Sequence, residues 1–328
     1  MRVYRFIGFM LTAVMFLSAY ADNYTLTKKE QQQITEEAEN WIDDMPEGLQ
    51  DRLSDAVSHA MRGFFNEIEY FRNFADTAGI GKYKVSVKNL QGGNNGNIPM
   101  RLYKGLKKSN VKLPLLVYFH GGGWSLGSLD TSERFCRALA AEGNVIVVSV
   151  AYPLAPEYPF PSALNMCVAA TEYICSKAES WGGDKMKISI GGDGAGGNLA
   201  LSVYSKLPST ARIKSLVVFY PLLKTNGQLD PNDKRLYGRG YGFDSRLWEA
   251  FILAYNEGSK QEYKSLPPML MISAGRDIII SEEKQFSSQN KNITYIEFEG
   301  ALHGFLTDGH QNTAFNKAVA LTDIYLTR

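Results

Sequence analysis

Residues 186–200 read Met-Lys-Ile-Ser-Ile-Gly-Gly-Asp-Gly-Ala-Gly-Gly-Asn-Leu-Ala, and this stretch decides how the rest of the chain is read. Lys187 to Ile190 has the composition of a short buried strand, and Asn198 to Tyr204 that of a helix. Between them Gly191, Gly192, Gly194, Gly196 and Gly197 let the backbone reverse where side chains would collide. Strand, glycine-packed corner and helix N-terminus make a place where backbone N–H groups point at a bound negative charge.

Two motifs compete for the corner. Gly192-x-Gly194-x-x-Gly197 satisfies G-x-G-x-x-G, the phosphate-cradling turn of dinucleotide-binding folds. That turn also needs an acidic residue about twenty positions on, at the end of the next strand, to hold a ribose. The next strand is Ser215–Tyr220, and no Asp or Glu occurs between Asp193 and Asp230. The turn also comes after several strand–helix units rather than in the first. The alternative is the nucleophile elbow G-x-S-x-G, which needs the same strand–turn–helix context. Gly192-Asp193-Gly194-Ala195-Gly196 fits it everywhere except at the nucleophile, where Gly194 stands in place of Ser.

Outward from the corner, the chain alternates strand and helix. Apolar strands are expected at Leu115–Phe119, Val145–Val150, Lys187–Ile190, Leu216–Tyr220, Met269–Ser273 and Ile293–Phe298. Helices are expected at about 131–142, 162–180, 198–207, 245–256, 281–289 and 312–327. Strands so spaced and apolar on both faces imply a mostly parallel sheet with helices on each side, whose ligands bind beyond the carboxyl ends of the strands. The segments at those ends are His120–Trp124, the 191–197 corner, Asp277 and Ala301–Phe305. A Gly- and Tyr-rich insertion at 224–265 could form part of a lid. Ahead of the sheet, Lys84–Val87 and Ile98–Tyr103 flank Gly92–Asn97 as a hairpin.

Residues 22–80 are polar and helical in pattern, as an extension or a cap. One helix is expected from Thr27 to Trp41. A second runs from Gly48 to Phe74, with Leu49, Leu53, Val57, Met61, Phe64, Phe65, Ile68 and Phe71 on one stripe. Residues 1–21 carry Arg2 and Arg5, a short apolar run and Ala19-Tyr20-Ala21, the parts of a secretory signal peptide. The apolar run is shorter than the roughly twenty residues of a membrane span. Export to the periplasm or the medium without a stable span is therefore expected, with an uncleaved anchor as the alternative.

The chain's 328 residues, 45% of them hydrophobic, suit one large α/β domain at 81–328 with an appendage. A formal net charge of +1 gives no electrostatic case for nucleic acid. Cys136, Cys167 and Cys175 form an odd set with no disulfide or metal spacing, and core packing is their expected role.

Together, His120-Gly121-Gly122-Gly123 ahead of Trp124, Tyr152-Pro153-Leu154-Ala155-Pro156-Glu157, and Gly191–Ala200 resemble the hormone-sensitive-lipase branch of the α/β-hydrolases over residues 80–328. The chain departs at Pro153, where the family usually has Arg, and at Gly194, where it has its nucleophilic Ser. The resemblance implies an α/β-hydrolase fold acting by acyl transfer on small esters, without a cofactor or metal.

Acyl transfer needs a nucleophile, a base, an acid that orients the base, and N–H donors for the oxyanion. Of four histidines only His303 and His310 follow the elbow, as this fold's order requires. His303, just past a strand end, is the expected base. The family pattern puts the acid at Asp277, whose alternative is helix capping, a job for which Ser281 is better placed. The expected oxyanion donors are the amides of Gly122, Gly123 and Ala195. His120 and Gly121 brace the glycine loop, and Asp193 belongs to the turn with its side chain directed away from the tip.

Ser125 and Ser128 lie near the elbow but not on it. Three readings follow: an exported carboxylesterase scaffold impaired at Gly194, a non-catalytic relative that binds an ester-like or apolar ligand, and a nucleotide-binding protein. Intact Asp277, His303 and His120–Gly123 favour the first.

Overall fold

The computed structural model describes residues 24–72, 79–93, 96–107, 109–208, 210–258, 263 and 265–328. The expected signal peptide lies outside the described residues, as do 94 and 95 of the hairpin turn and the end of the second N-terminal helix.

Strand β3, Leu113–Phe119, is buried at every position. Its side chains alternate between two cores. Leu115, Val117 and Phe119 join the core on one face of the sheet, and Leu116 and Tyr118 join the other. That is the mark of a strand covered on both sides. Its neighbours are β4, Ile146–Val150, and β5, Gly183–Asp193, both parallel to it. Beyond β5 come β6, Ile213–Phe219, β7, Met269–Arg276, and β8, Ile293–Leu302, all parallel. The hairpin of β1, Val85–Gly92, and β2, Ile98–Gly105, adds antiparallel strands beyond β4, giving the order β1-β2-β4-β3-β5-β6-β7-β8. This is the mostly parallel sheet expected.

The helices in chain order are α1 Lys28–Asp44, α2 Leu49–Ala60, α3 Asn66–Arg72, α4 Glu133–Ala141, α5 Ser162–Lys177, α6 Ala195–Lys206, α7 Pro231–Tyr237, α8 Ser245–Tyr255, α9 Ile280–Gln289 and α10 Asn312–Leu326. Phe135 and Leu139 of α4, Phe315 and Leu321 of α10 and Ile34 of α1 build one core. Leu164 of α5, Leu199 and Val203 of α6, Phe251 of α8 and Val57 of α2 build the other. Helix α1 is tied to the sheet edge and α10: Glu37 accepts from Thr313 N and Oγ1, both at 2.7 Å, and Lys317 pairs with Glu30 at 2.9 Å. Helix α2 faces α8 through Arg246, whose guanidinium reaches Asp51 and Asp55.

Three expectations are corrected. The long second N-terminal helix is two helices. Phe64 N donates to His59 O and Gly63 N to Ala60 O, with Gly63 at φ 89°, a Schellman stop that ends α2. Met61 and Phe64 therefore fall off the expected apolar stripe, 43% and 69% exposed. Helix α6 starts at Ala195 instead of Asn198, because close packing holds Gly196 and Gly197 in its first turn. Helix α7 was not anticipated, although Asp230 before Pro231 is a cap signal: its carboxylate accepts from Asn232 N and Asp233 N.

Cys136, Cys167 and Cys175 are free thiols. Among the described residues no helix is long and apolar enough to cross a membrane, and no three His, Cys, Asp or Glu side chains could hold a metal ion.

Candidate active site

At the end of β5 the chain turns through Gly194, at φ 52° and ψ −116°, directly into α6. An L side chain is strained in that region. The turn is locked by its own backbone: Gly194 N donates to Phe219 O at 3.0 Å, and Gly194 O accepts from Leu222 N at 3.1 Å. Packing under the corner is tight, for a Cβ on Gly196 would lie 2.0 Å from Phe119 O. Above it the space is open. Among the described residues, a Cβ on Gly194 would meet only the His303 ring within 4 Å beyond its chain neighbours, with Nε2 at 3.3 Å.

His303 follows β8, and Asp277 follows the adjacent β7. Their side chains meet with Nδ1 2.6 Å from Oδ2, the Asp277 side chain fully buried and the His303 side chain 14% exposed. Tyr220 packs against the imidazole with centroids 4.6 Å apart, and Phe243 does so at 4.3 Å. The ring is thus held by a carboxylate on one edge and by two aromatic neighbours. Asp277 has a local role as well, Oδ1 accepting from Ile279 N at 3.3 Å. Ser281 is not the cap of α9, as its place in the sequence had suggested. It lies inside the helix and binds Asp233 through N and Oγ, both at 2.8 Å. His310 stands apart, stacked on Trp41 with centroids 3.9 Å apart.

The third component is the glycine loop after β3. Gly122 and Gly123 both have positive φ, 108° and 57°. A Cβ on Gly123 would sit 2.0 Å from Cδ2 of Phe251, so backbone there lies against the aromatic wall of the cavity. Among the described residues no protein acceptor takes the amides of Gly122 and Gly123. Ala195 opens α6, where first-turn amides lack intrahelical partners. His120 is fully buried, its Nδ1 2.8 Å from Gly121 O and its ring stacked on Tyr152 at 4.2 Å. Burial drives its pKa down to about 4, so it is a neutral brace at neutral pH. Asp193 is directed under the glycine loop: Oδ1 accepts from Gly121 N at 3.0 Å and Tyr118 OH at 2.8 Å. It also borders the cavity. Burial raises its pKa to about 6 despite those bonds.

The glycine loop at 121–123, Asp193, Gly194, Tyr220 and His303 line a cavity of about 190 Å³ with Leu126, Leu222, Phe243, Leu247 and Phe251. Phe243, Leu247 and Phe251 come from the 224–265 insertion. No residue of 24–72 lines it, although Met45 Cε lies 3.8 Å from the Cβ position of Gly242, itself on the cavity wall. Ser125 and Ser128 do not line it either.

One supporting residue escaped the sequence reading. Arg72, buried at the end of α3, donates Nε to Ser125 O at 2.9 Å and one terminal nitrogen to Ala155 O at 2.9 Å. Its guanidinium grips Glu157 in a fork, at 2.6 and 2.8 Å. Burial opposes ionisation of Glu157, but the Arg72 bonds hold its pKa below the usual carboxylate range. Ala155 N binds Trp124 O and Tyr152 OH binds His120 O, so the 152–157 segment braces the glycine loop and Arg72 braces that segment. No local pattern in the sequence pairs Arg72 with Glu157, 85 positions on.

Sheet order, elbow and glycine loop together define an α/β-hydrolase, and a family model described as alpha/beta hydrolase fold matches residues 116–307. Within that fold the chain belongs to the hormone-sensitive-lipase-like branch. It is 46% identical over 105 residues to carboxylesterase NlhH of Mycobacterium tuberculosis, a match covering 32% of each chain. It is 29% identical over 238 residues to the carboxylic ester hydrolase LipN of the same organism, covering 65% of this chain and 62% of LipN. The matches therefore span about a third of one relative's length and under two thirds of the other's. Among solved structures, an esterase from Pyrobaculum calidifontis has the same fold at TM-score 0.67, with 24% identity over 87% of this chain and 94% of that one. A thermostable esterase from Pseudomonas putida ECU1011 gives 0.70 at 20% identity, over 89% and 95%.

Proposed function

We propose that this chain is an exported carboxylic-ester hydrolase scaffold that receives small esters and is severely impaired in acyl transfer because Gly194 stands at the nucleophile position. The observation that carries the reading is the line Asp277–His303–194. The carboxylate lies 2.6 Å from one imidazole nitrogen, and the other lies 3.3 Å from where a side chain at 194 would begin. In that reading His303 is the base, Asp277 orients it, and the amides of Gly122, Gly123 and Ala195 receive the oxyanion. The apolar cavity supports small acyl groups, and the expected leader at 1–21 supports export.

The test compares short p-nitrophenyl esters with the native chain and with Gly194→Ser. The serine form is expected to gain at least about 10³-fold in kcat, since loss of a nucleophile is worth about 10⁶ in subtilisin. A folded serine form that stays inert at every acyl length would remove the reading. The second reading, a binder of ester-like ligands without turnover, is favoured by Gly194 itself. It predicts tight binding of such ligands and no gain from serine.

A further inference from the structure

We propose that the native Gly194 chain hydrolyses activated esters in a single step, with a water bound to His303 Nε2 acting where a serine hydroxyl would act. The inference rests on the ester-hydrolase reading and adds to it a reaction that needs no acyl-enzyme.

His303 gives Nδ1 to Asp277, which fixes the ring as the tautomer with its proton on that side and leaves the Nε2 lone pair as acceptor. The Cβ position at 194 lies 3.3 Å from Nε2, and among the described residues no atom outside the His303 ring and the immediate chain neighbours comes within 4 Å of that position. A water about 2.8 Å from Nε2 fits the space that Cβ and a hydroxyl would otherwise take. The cavity of about 190 Å³ is large enough for a water, at roughly 30 Å³, together with a short acyl group. Tyr220 and Phe243 hold the ring in place, so the base is already positioned before substrate arrives.

The step balances without a covalent protein intermediate. Nε2 takes a proton from the water as its oxygen bonds to the ester carbonyl carbon. The carbonyl π pair moves to oxygen, and the resulting oxyanion accepts from the amides of Gly122, Gly123 and Ala195. Collapse expels the alkoxide, which takes the proton from Nε2. A p-nitrophenolate leaves without it, and the imidazolium then releases the proton to solvent. The products are a carboxylic acid and an alcohol.

Alanine at 194 is the discriminating variant. Its methyl would stand 3.3 Å from Nε2, within the space the water needs, so Gly194→Ala is expected to be slower than the native chain although neither has a nucleophile. The experiment follows p-nitrophenyl acetate and butyrate hydrolysis by the native chain, Gly194→Ala, His303→Gln and Gly194→Ser, each shown to be folded by circular dichroism.

The native chain should turn over above buffer with no pre-steady-state burst and no labelling by a fluorophosphonate. His303→Gln should fall at least about a hundredfold, the lower end of the 10²–10⁴ range of general-base catalysis, and Gly194→Ala at least about tenfold. The serine form should show a burst and take the label. A native rate indifferent to His303→Gln or Gly194→Ala, or a burst or label on the native chain, would overturn the water route. If the serine form is inert as well, the ester-hydrolase reading itself fails. If it is active, only the water route does.

Discussion

His303 Nδ1 lies 2.6 Å from Asp277 Oδ2, across 26 residues of chain, because β7 and β8 are parallel neighbours that end side by side. Everything at the site is referred to that pair. It sets which imidazole nitrogen is free, and the free one looks at Gly194.

The pair makes a kinetic prediction. In the Gly194→Ser background, Asp277→Asn should lower kcat by about 10⁴, the loss seen when the orienting aspartate of a chymotrypsin-type triad is so changed. KM for p-nitrophenyl butyrate should move little. A fall of less than tenfold would mean that Asp277 does not orient the base.

Gly123 makes a stability prediction. Alanine there places a methyl in contact with the Phe251 ring at 2.0 Å and holds an L residue at φ 57°. Overpacking and backbone strain together should remove about 2–4 kcal/mol from the unfolding free energy in urea. Phe251→Leu in the same chain should recover part of that loss, a coupling that a double-mutant cycle measures.

Arg72 links the N-terminal helices to the oxyanion loop. Arg72→Met leaves the Glu157 carboxylate, 27% exposed, without its partner. Breaking a fully buried pair costs 3–5 kcal/mol, and with this exposure about 2 kcal/mol is expected. In the Gly194→Ser background kcat should also fall tenfold or more, since Ser125 and Ala155 lose their anchor. An unchanged kcat at equal fold content would confine Arg72 to stability.

Asp193 and His120 predict a pH signature. Asp193 has a folded pKa of about 6, above its ordinary value of 3.8, so its contribution is full below 3.8 and is lost as pH rises through 6. His120 has a folded pKa of about 4, below its ordinary 6.5, so its contribution grows as pH rises from 4 to 6.5. The two slopes oppose each other between pH 4 and 6. Asp193→Asn removes one of them. Relative to the native chain, its unfolding free energy should therefore rise by on the order of 2 kcal/mol from pH 4 to pH 6.5. A difference that stays flat across this range would refute the assignment.

Much of the site was legible because its parts are local. The corner at 191–197, the glycine loop at 120–123 and the positions of Asp277 and His303 just past strand ends can all be read from runs of neighbouring residues. The stop at Arg62-Gly63 and the cap at Asp230-Pro231 are local signals too, each carried by adjacent residues. Ser281 shows the opposite case: its spacing suited a cap, but Asp233, 48 positions away, claims both its amide and its hydroxyl.

By itself, then, the sequence determined the alternation of strand and helix, the sharp turn at residue 194, and the fact that no hydroxyl stands there. Those depend on hydrophobic period, glycine placement and residue identity, all short-range properties of a chain. Only the tertiary structure decided that Arg72 grips Glu157 behind the glycine loop, that Phe243 and Phe251 wall the cavity, and that a Cβ at 194 would stand against the His303 ring. Each of those joins residues tens to a hundred or more positions apart. Such contacts are fixed by how the packed layers meet, and no local pattern encodes that.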